Sequence, residues 1–449
     1  MPAIQYGLSS YKRSRGDLAE LPVINMFAEE SDSEGGVILQ SRPGLVDRGA
    51  DIGGAPIEAL FKRDMVLGSD LFGVAKRCLY RNTALVGEIN GSDPVSMAGY
   101  ENFLFVAAGS SLWGYDGSDL LAIDFPDGAS VAKVLIAGSR VVALRKDTGK
   151  FYWSDALGTS IDALAFATAE DQPDRLLDAD YIDGILVLYG AETVEFWPHT
   201  TDADLPFQPL QGRIIEKGIK ATGCASSIAS TFAWVTNENT ICLGDENTVI
   251  SNPGLEERIE NSGSCRLFKF TLGGYEFLAL RLDDETQVWN WRTRLWSQFA
   301  SHGVGNWIPQ CFAGDVFGSS IDGRTMTWGT GHTDLGSELE RRVRGGFPIN
   351  SGGAQINKVQ LRRSTGQAPF VLGEFAEPAL EMRVSRDVGR TWSTWKPRSL
   401  GRQGAFNKHV RWNAQGMASQ PGFLAEWRVT APIDWRVSGA FVNEQWGGR

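Results

Sequence analysis

Few residues of this chain have types and spacings that could do chemistry, and each has a plainer structural use. Ser385, Asp387, Gly389, Thr391 and Trp392 form an SxDxGxTW run, an Asp-box pattern. Its residue types suit a tight turn: Asp caps backbone N–H groups, Gly supplies positive φ and Trp packs beneath the hairpin. Hydrolysis of a sugar would need a convergent pair of carboxylates, and the sequence singles out no such pair. Gly318–Thr325 (GSSIDGRT) resembles the phosphate loop GxxxxGK[ST], with Arg324 in place of Lys. It lies between two predicted strands, so the helix N-terminus that completes a phosphate cradle is missing, and a hairpin turn is expected. His199, His302, His332 and His409 have no Cys or His at ligand spacing; the nearest, His302 and Cys311, are nine apart. The pairs Glu29–Glu30, Glu256–Glu257 and Asp283–Asp284 read as solvated turns. There is no GxSxG. The residues argue for no enzyme, no metal and no cofactor.

One charged feature stands out. Arg341, Arg342 and Arg344 open a basic stretch that continues through Lys358, Arg362, Arg363 and the arginines at 383–390. A solvated sheet face is one reading. The other is an electrostatic contact with an acidic partner or with DNA phosphate.

The elements that must position these residues are β-strands. The 449 residues carry 43 Lys/Arg and 54 Asp/Glu, a net charge of −11, which excludes a generally basic nucleic-acid coat. Gly, at 52, is well above its usual share of about 7%, and Trp reaches 15. Much Gly and aromatic with few helical stretches points to many short strands joined by tight turns. No apolar run approaches the ~18 residues that cross a membrane. Met1 to Asp17 lacks the apolar core of a signal peptide. Cys78, Cys224, Cys242, Cys265 and Cys311 are odd in number and form no CxxC, so free thiols in a reducing cytosol are expected.

An aromatic-rich strand recurs: CLYRN (78–82), LWGYDG (112–117), FYWSD (151–155), VEFWPH (194–199), ICLGD (241–245), VWNW (288–291) and MTWGT (326–330). The steps between their centres are 33, 40, 44, 46, 46 and 39 residues, close to the length of a four-stranded propeller blade. The runs before five of them, such as ENFLFVAAG and DGILVLYGAE, read as the preceding strand of a hairpin. The best helical candidate, around Ser160–Phe166, is short. After a Gly-rich polar stretch at 331–353 the pattern is again β, in INKVQLRRS, ALEMRVSRD, HVRWNAQ, FLAEWRVTAP and WRVSGAFVN. Charge changes sign at the same place: residues 341–449 hold 17 Lys/Arg against 7 Asp/Glu, and residues 1–340 hold 26 against 47.

The expected architecture is all-β: an extended N-terminal arm over 1–49, a β-propeller of five to seven blades over 50–335, and a smaller C-terminal β-sheet or sandwich domain over 336–449. A pair of β-sandwiches is the competing all-β arrangement. The arm (Leu21, Pro22, Asn25, Met26, Arg42, Pro43) and the basic segment (Arg341, Arg342, Arg344) are the candidates for protein contact, since aperiodic arms lend strand edges to neighbours.

Three blocks carry a family resemblance: LPVINMFAEE with SRPGLVDRG (21–49), DADYIDGILVLYGAETVEFW (178–197) and EKGIKATGCASSIASTFAWVTNENTICLGDE (216–246). In this order they resemble the packaged-DNA stabilization proteins of short-tailed bacteriophages, also called tail accessory factors or tail hub proteins. The similarity spans about residues 20–300 and is weaker beyond.

The resemblance implies a structural virion protein of the tail, made in the host cytoplasm and built around a β-propeller. It would be added after DNA packaging below the portal and its adaptor ring, with six copies around the axis. There it would extend the channel, hold in the genome, let DNA pass without sequence specificity, and seat tail spikes, fibres or a needle, with no membrane insertion. A net-acidic body would let DNA slide through a negative lumen. Two other functions compete: a receptor- or glycan-binding propeller using Trp392, Trp395 and Trp412 as sugar platforms, and a propeller glycoside hydrolase.

Overall fold

The computed structural model describes residues 4–7, 9–10, 20–31, 36–91, 94–109, 111–169, 174–349, 353–370, 372–387, 389–419 and 422–443. Residues 11–17, within the segment considered for a signal peptide, lie outside them. Five antiparallel four-stranded sheets follow one another from Ala59 to Val249: Ala59–Phe61 to Ala84–Glu88, Val95–Tyr100 to Leu120–Ile123, Val131–Ala137 to Ile161–Thr168, Leu176–Ile182 to Ile214–Ile215, and Ala225–Ile228 to Thr248–Val249. A sixth unit runs from Arg266–Leu272 to Trp296–Phe299. The seventh contains Pro309–Ala313, Val316–Ser319 and Arg324–Trp328, and its fourth strand is Leu45–Asp51 from the N-terminal part of the chain. The first strand of each unit lies beside the first strand of the next, and the seventh returns to the first. This is a closed seven-bladed propeller.

Every aromatic-rich run named above is the third strand of its blade, from Cys78–Arg81 in blade one to Arg324–Trp328 in blade seven. The repeat follows from packing. A blade is buried on both faces, so its inner strands are apolar on both, and large rings fill the wedge between neighbours. Phe151 of blade three meets Trp197 of blade four edge-on at 5.1 Å. Tyr189 of blade four meets Phe232 of blade five at 6.1 Å. Two-residue turns join several strands. Asp183-Gly184 and Gly273-Gly274 both hold positive φ throughout, as a twisted hairpin requires.

The C-terminal part is a β-sandwich. One sheet has the order Met26–Ser31, Gly36–Ser41, Arg436–Val442, Gly353–Arg363, Arg411–Ser419. The facing sheet has Arg341–Pro348, Gly422–Val429, Ala379–Ser385 and Lys396–Ser399. Their shared core holds Trp412, Trp427, Trp435, Phe423, Val359 and Met382. All five strands expected after residue 353 are present. The Gly-rich stretch at 331–353 also contains a core strand, Arg341–Pro348, which its polar composition concealed.

Two expectations need correction. The segment 1–49 is not an extended arm in its described part. Met26–Ser31 and Gly36–Ser41 form a hairpin that extends a sandwich sheet, while Leu45–Asp51 closes the propeller. Val23–Ile24 joins blade six to the sandwich, pairing with Gln298 on one side and with Arg342 and Val343 on the other. These strands pair within the chain, as the outermost strands of a sandwich sheet and of blade seven. The helix proposed near Ser160–Phe166 is the outermost strand of blade three, Ile161–Thr168, paired to Lys150–Ser154. A helix does occur at Pro253–Asn261, capped by Asn252, whose side chain accepts a 3.0 Å bond from Leu255 N, with Pro at its start.

Candidate interaction surfaces

The residues singled out for protein contact meet one another at the junction of the two domains. Asn25 adopts positive φ, which turns the chain from Val23–Ile24 into the hairpin. Its Oδ1 accepts bonds from Arg42 Nε at 2.9 Å and Ala300 N at 3.0 Å, and its Nδ2 donates to Glu340 O at 2.8 Å. Arg42 is fully buried. Its guanidinium grips both carboxylate oxygens of Asp334 at 2.9 and 2.5 Å and donates to Ala300 O and Pro43 O. Met26 lies in the sandwich core, while Leu21, Pro22 and Pro43 are half-buried.

The basic segment is likewise engaged. Arg341 is buried and donates to the carbonyls of Val429, Ala431 and Ile433. Burial, with Arg42 nearby, pushes its pKa down to about 9. Arg342 bonds Glu340. Arg344 bonds the buried carboxylate of Glu426 at 2.9 Å and donates to Glu20 O. Arg383 shares that carboxylate at 2.5 Å, and Arg428 pairs with Glu381 at 2.5 Å. Part of the positive charge counted in the sequence is therefore neutralised inside the sandwich.

The Asp-box run forms the expected turn; Val388 lies outside the described residues. Ser385 Oγ donates to Asp387 and accepts from Gly389 N at 2.8 Å, while Asp387 accepts from Thr391 N at 2.9 Å and Thr391 Oγ1 at 2.6 Å. The Thr391 hydroxyl, the Thr391 amide and Ser385 pull the Asp387 pKa down to about 2. Trp392 Nε1 donates back to Gly389 O. Arg344 and Arg383 each stand 4.7 Å from the Trp392 ring, and Arg383 and Arg428 stand 4.6 and 4.2 Å from that of Trp395. Trp412 is buried. The rings proposed as sugar platforms are thus packed against guanidinium groups or enclosed in the core. The phosphate-loop look-alike is a hairpin between Val316–Ser319 and Arg324–Trp328, with Ser319 Oγ accepting from Ile321 N and Asp322 N.

The inner strands of all blades surround an axial cavity of about 310 Å³, room for roughly ten waters at about 30 Å³ each and far too little for a double helix. Sequence reasoning missed its residues, because the inner strands share no motif. Lys133 reaches across from blade three to the buried carboxylate of Asp178 in blade four, which also accepts from Ala179 N and Gly223 N. Burial raises the pKa of neighbouring Asp180 to about 6, with Lys133 opposing and Asp178 reinforcing the shift. Arg266 donates to Glu58 O at 2.8 Å, and Arg281 to the carbonyls of Trp307 and Pro309. Burial and the nearby Arg266 bring the pKa of Arg281 down to about 10. The cavity carries both signs of charge. Among the described residues no group of three or more His, Cys, Asp or Glu could hold a metal ion, and the five cysteines are unbridged.

A family model described as "Bacteriophage P22 Gp10, beta-propeller" matches residues 3–306, and one described as "Bacteriophage P22 Gp10, beta-sandwich" matches residues 347–444. The chain belongs to the Gp10 family. This is the tail accessory, DNA-stabilisation family of short-tailed phages. The first match takes in the 26–41 hairpin, Leu45–Asp51 and blades one to six, and the second the sandwich strands from Gly353 onward. A Gp10-family protein is a structural component of the phage. No curated protein matches in sequence. Among solved structures, BBS1N in complex with ARL6DN, soaked with lead, is similar over 66% of this chain and 99% of that one, at 13% identity and TM-score 0.42. The same complex soaked with mercury matches over 64% and 98%, at 12% identity and TM-score 0.41. An exo-beta-1,3-galactanase from Phanerochaete chrysosporium matches over 80% and 97%, at 8% identity and TM-score 0.33. Likeness at this level carries no argument about function.

Proposed function

We propose that this Gp10-family chain is a scaffold of the phage tail, without catalytic activity. In this reading it sits below the portal and adaptor ring, extends the channel, stabilises packaged DNA and seats a spike, fibre or needle. The observation that carries the reading is the match of both domains, in order, to one structural phage family. The fold supports it. Propeller and sandwich are held together by the buried Arg42–Asp334 pair and by Val23–Ile24, which pairs with a strand of each, as a load-transmitting part requires. The axial cavity is too small to pass DNA, so the passage would lie between copies of the chain arranged in a ring. An acidic surface facing that passage would repel phosphate and keep DNA from sticking.

Particles assembled without this chain test the proposal. They should package DNA and then lose it, and an image reconstruction of complete particles should place the chain as a ring below the portal. Retention of DNA by particles lacking the chain, or its location elsewhere, would reject the reading. Replacement of passage-facing acids by Lys should slow DNA release in vitro; unchanged release kinetics would remove the sliding-surface idea.

A further inference from the structure

Among the described residues three buried arginines in and beside the sandwich have their charge answered or their donors used. Arg344 pairs with Glu426, while Arg341 is held by three carbonyls. Arg42, at its edge, pairs with Asp334. Arg363 differs. It is half-buried near the end of Gly353–Arg363, where its Nε and Nη2 are shielded from solvent and have no acceptor among the described residues. Nη1 makes one long bond, 3.4 Å to Leu361 O. Burial alone brings its pKa down to about 10, with no acidic neighbour among the described residues acting against it. A guanidinium held this way is costly until an anion meets it.

Arg363 also lines a cavity of about 610 Å³, together with Thr365, Phe406, Lys408, His409 and Phe441. Lys408 does not compete for a ligand, because its ammonium is held by Glu377 at 3.0 Å and by Ser399. Arg362 lines the cavity as well, and the apolar part is supplied by Phe441 and by Phe406, which is 69% exposed.

We propose that this cavity is a docking site for an acidic segment of a partner protein, with one Asp or Glu carboxylate received by Arg363 and an adjoining apolar side chain received by Phe406. The guanidinium fork matches a carboxylate in two parallel bonds, as it would a phosphate, and the net charge of +10 over residues 341–449 attracts either anion. The recess itself favours the carboxylate: a duplex presents a continuous row of phosphates, which calls for an open basic stripe, whereas here Arg362 and Arg363 stand beside the rings of Phe406 and Phe441, which an apolar side chain next to a carboxylate can cover. The inference does not depend on where in the particle the chain resides.

The test uses the full chain with its arginine side chains labelled for Nε–H NMR. The probes are N-acetyl-glutamate amide, inorganic phosphate and a short DNA duplex, and unfolding midpoints are measured in parallel. The glutamate probe should shift the Arg363 signal and saturate in the millimolar range, below about 50 mM. Arg363→Lys should bind about tenfold more weakly. Arg363→Met should abolish the probe's effect on stability and leave the unfolding midpoint in buffer unchanged or higher, because an unanswered charge is removed. The proposal is overturned if the Arg363 signal ignores the glutamate probe. It is also overturned if phosphate or duplex shifts that signal and carboxylate does not, or if Arg363→Met lowers the midpoint in buffer while probe binding persists.

Discussion

Arg42 and Asp334, 292 residues apart in sequence, form a two-pronged ion pair from which solvent is excluded. The same Asp334 carboxylate accepts Leu45 N at 3.0 Å, so one acidic side chain fixes both the entry into the strand that closes the propeller and the crossing into the sandwich. Removing the acid leaves a buried guanidinium without its counter-charge. Asp334→Ala should therefore cost about 3–5 kcal/mol in urea unfolding. Arg42→Met combined with Asp334→Leu should cost less than the single change. A loss under about 1 kcal/mol for Asp334→Ala would show that the pair is not the fastening described.

Gly44 precedes that strand for a steric reason. A Cβ there would lie 1.9 Å from the carbonyl oxygen of Thr333, a backbone atom that cannot swing away. Gly44→Ala should destabilise by about 3 kcal/mol or more. The reference is Gly36→Ala, where a Cβ meets open space and little change is expected. Equal unfolding midpoints for the two variants would contradict the close approach.

Asp387 supplies a pH signature. Its carboxylate ionises at about 2 in the folded turn and near 3.8 when the chain is unfolded. Its stabilising contribution is complete above pH 4 and disappears as pH falls toward 2. The Thr391 amide resonance should titrate in that range, and Asp387→Asn should abolish the titration. A midpoint near 3.8 would mean that the bonds from Thr391 and Ser385 do not favour the charged form.

Asp180 has the opposite sign. Its pKa is raised to about 6, so between pH 4 and 6 the folded chain retains a proton that the unfolded chain releases. Stability from this group falls as pH rises through that window and is level above it. Asp180→Asn should flatten the decline and raise the unfolding midpoint at pH 7.5 relative to pH 4.5. An unaltered pH profile would place the titration at another group.

Trp392 separates a structural role from sugar recognition. Trp392→Ala removes the ring beside Arg344 and Arg383 and should cost about 1–2 kcal/mol of sandwich stability. Direct binding of the wild-type chain to a glycan array, lost in this variant, would revive the sugar-platform reading.

The propeller was legible because its third strands repeat aromatic residues at blade spacing, and the seven runs correspond one-to-one with the seven blades. The sandwich strands were legible from their alternation. What was hidden is non-local. Leu39 pairs with Val437 and Leu45 with Trp328, and no periodicity in 21–49 points to partners so distant. The same holds for the contact candidates. LPVINM and RPGL stood out as unusual, yet an arginine's acid cannot be read from its own neighbourhood, so Arg42 looked available for another molecule. Ile161–Thr168 looked helical because Ala and Leu favour helices; pairing with Lys150–Ser154 overrides that weak preference. The helix at 253–261 was signalled by Asn252-Pro253 followed by Glu256, a start pattern overshadowed by the surrounding strands.

The dependence of both domains on strands from residues 23–51 bears on how the molecule comes into being. A ribosome adding roughly 5–20 residues per second exposes the Met26–Ser41 hairpin long before its neighbour Arg436–Val442 has been synthesised. The circle of blades likewise stays open until residue 328 emerges. A chain cut short before residue 328 can complete neither unit, and one cut short between 328 and 436 can close the propeller but not the sandwich sheet, so only polypeptides extending past that strand would present both rigid surfaces to assembly.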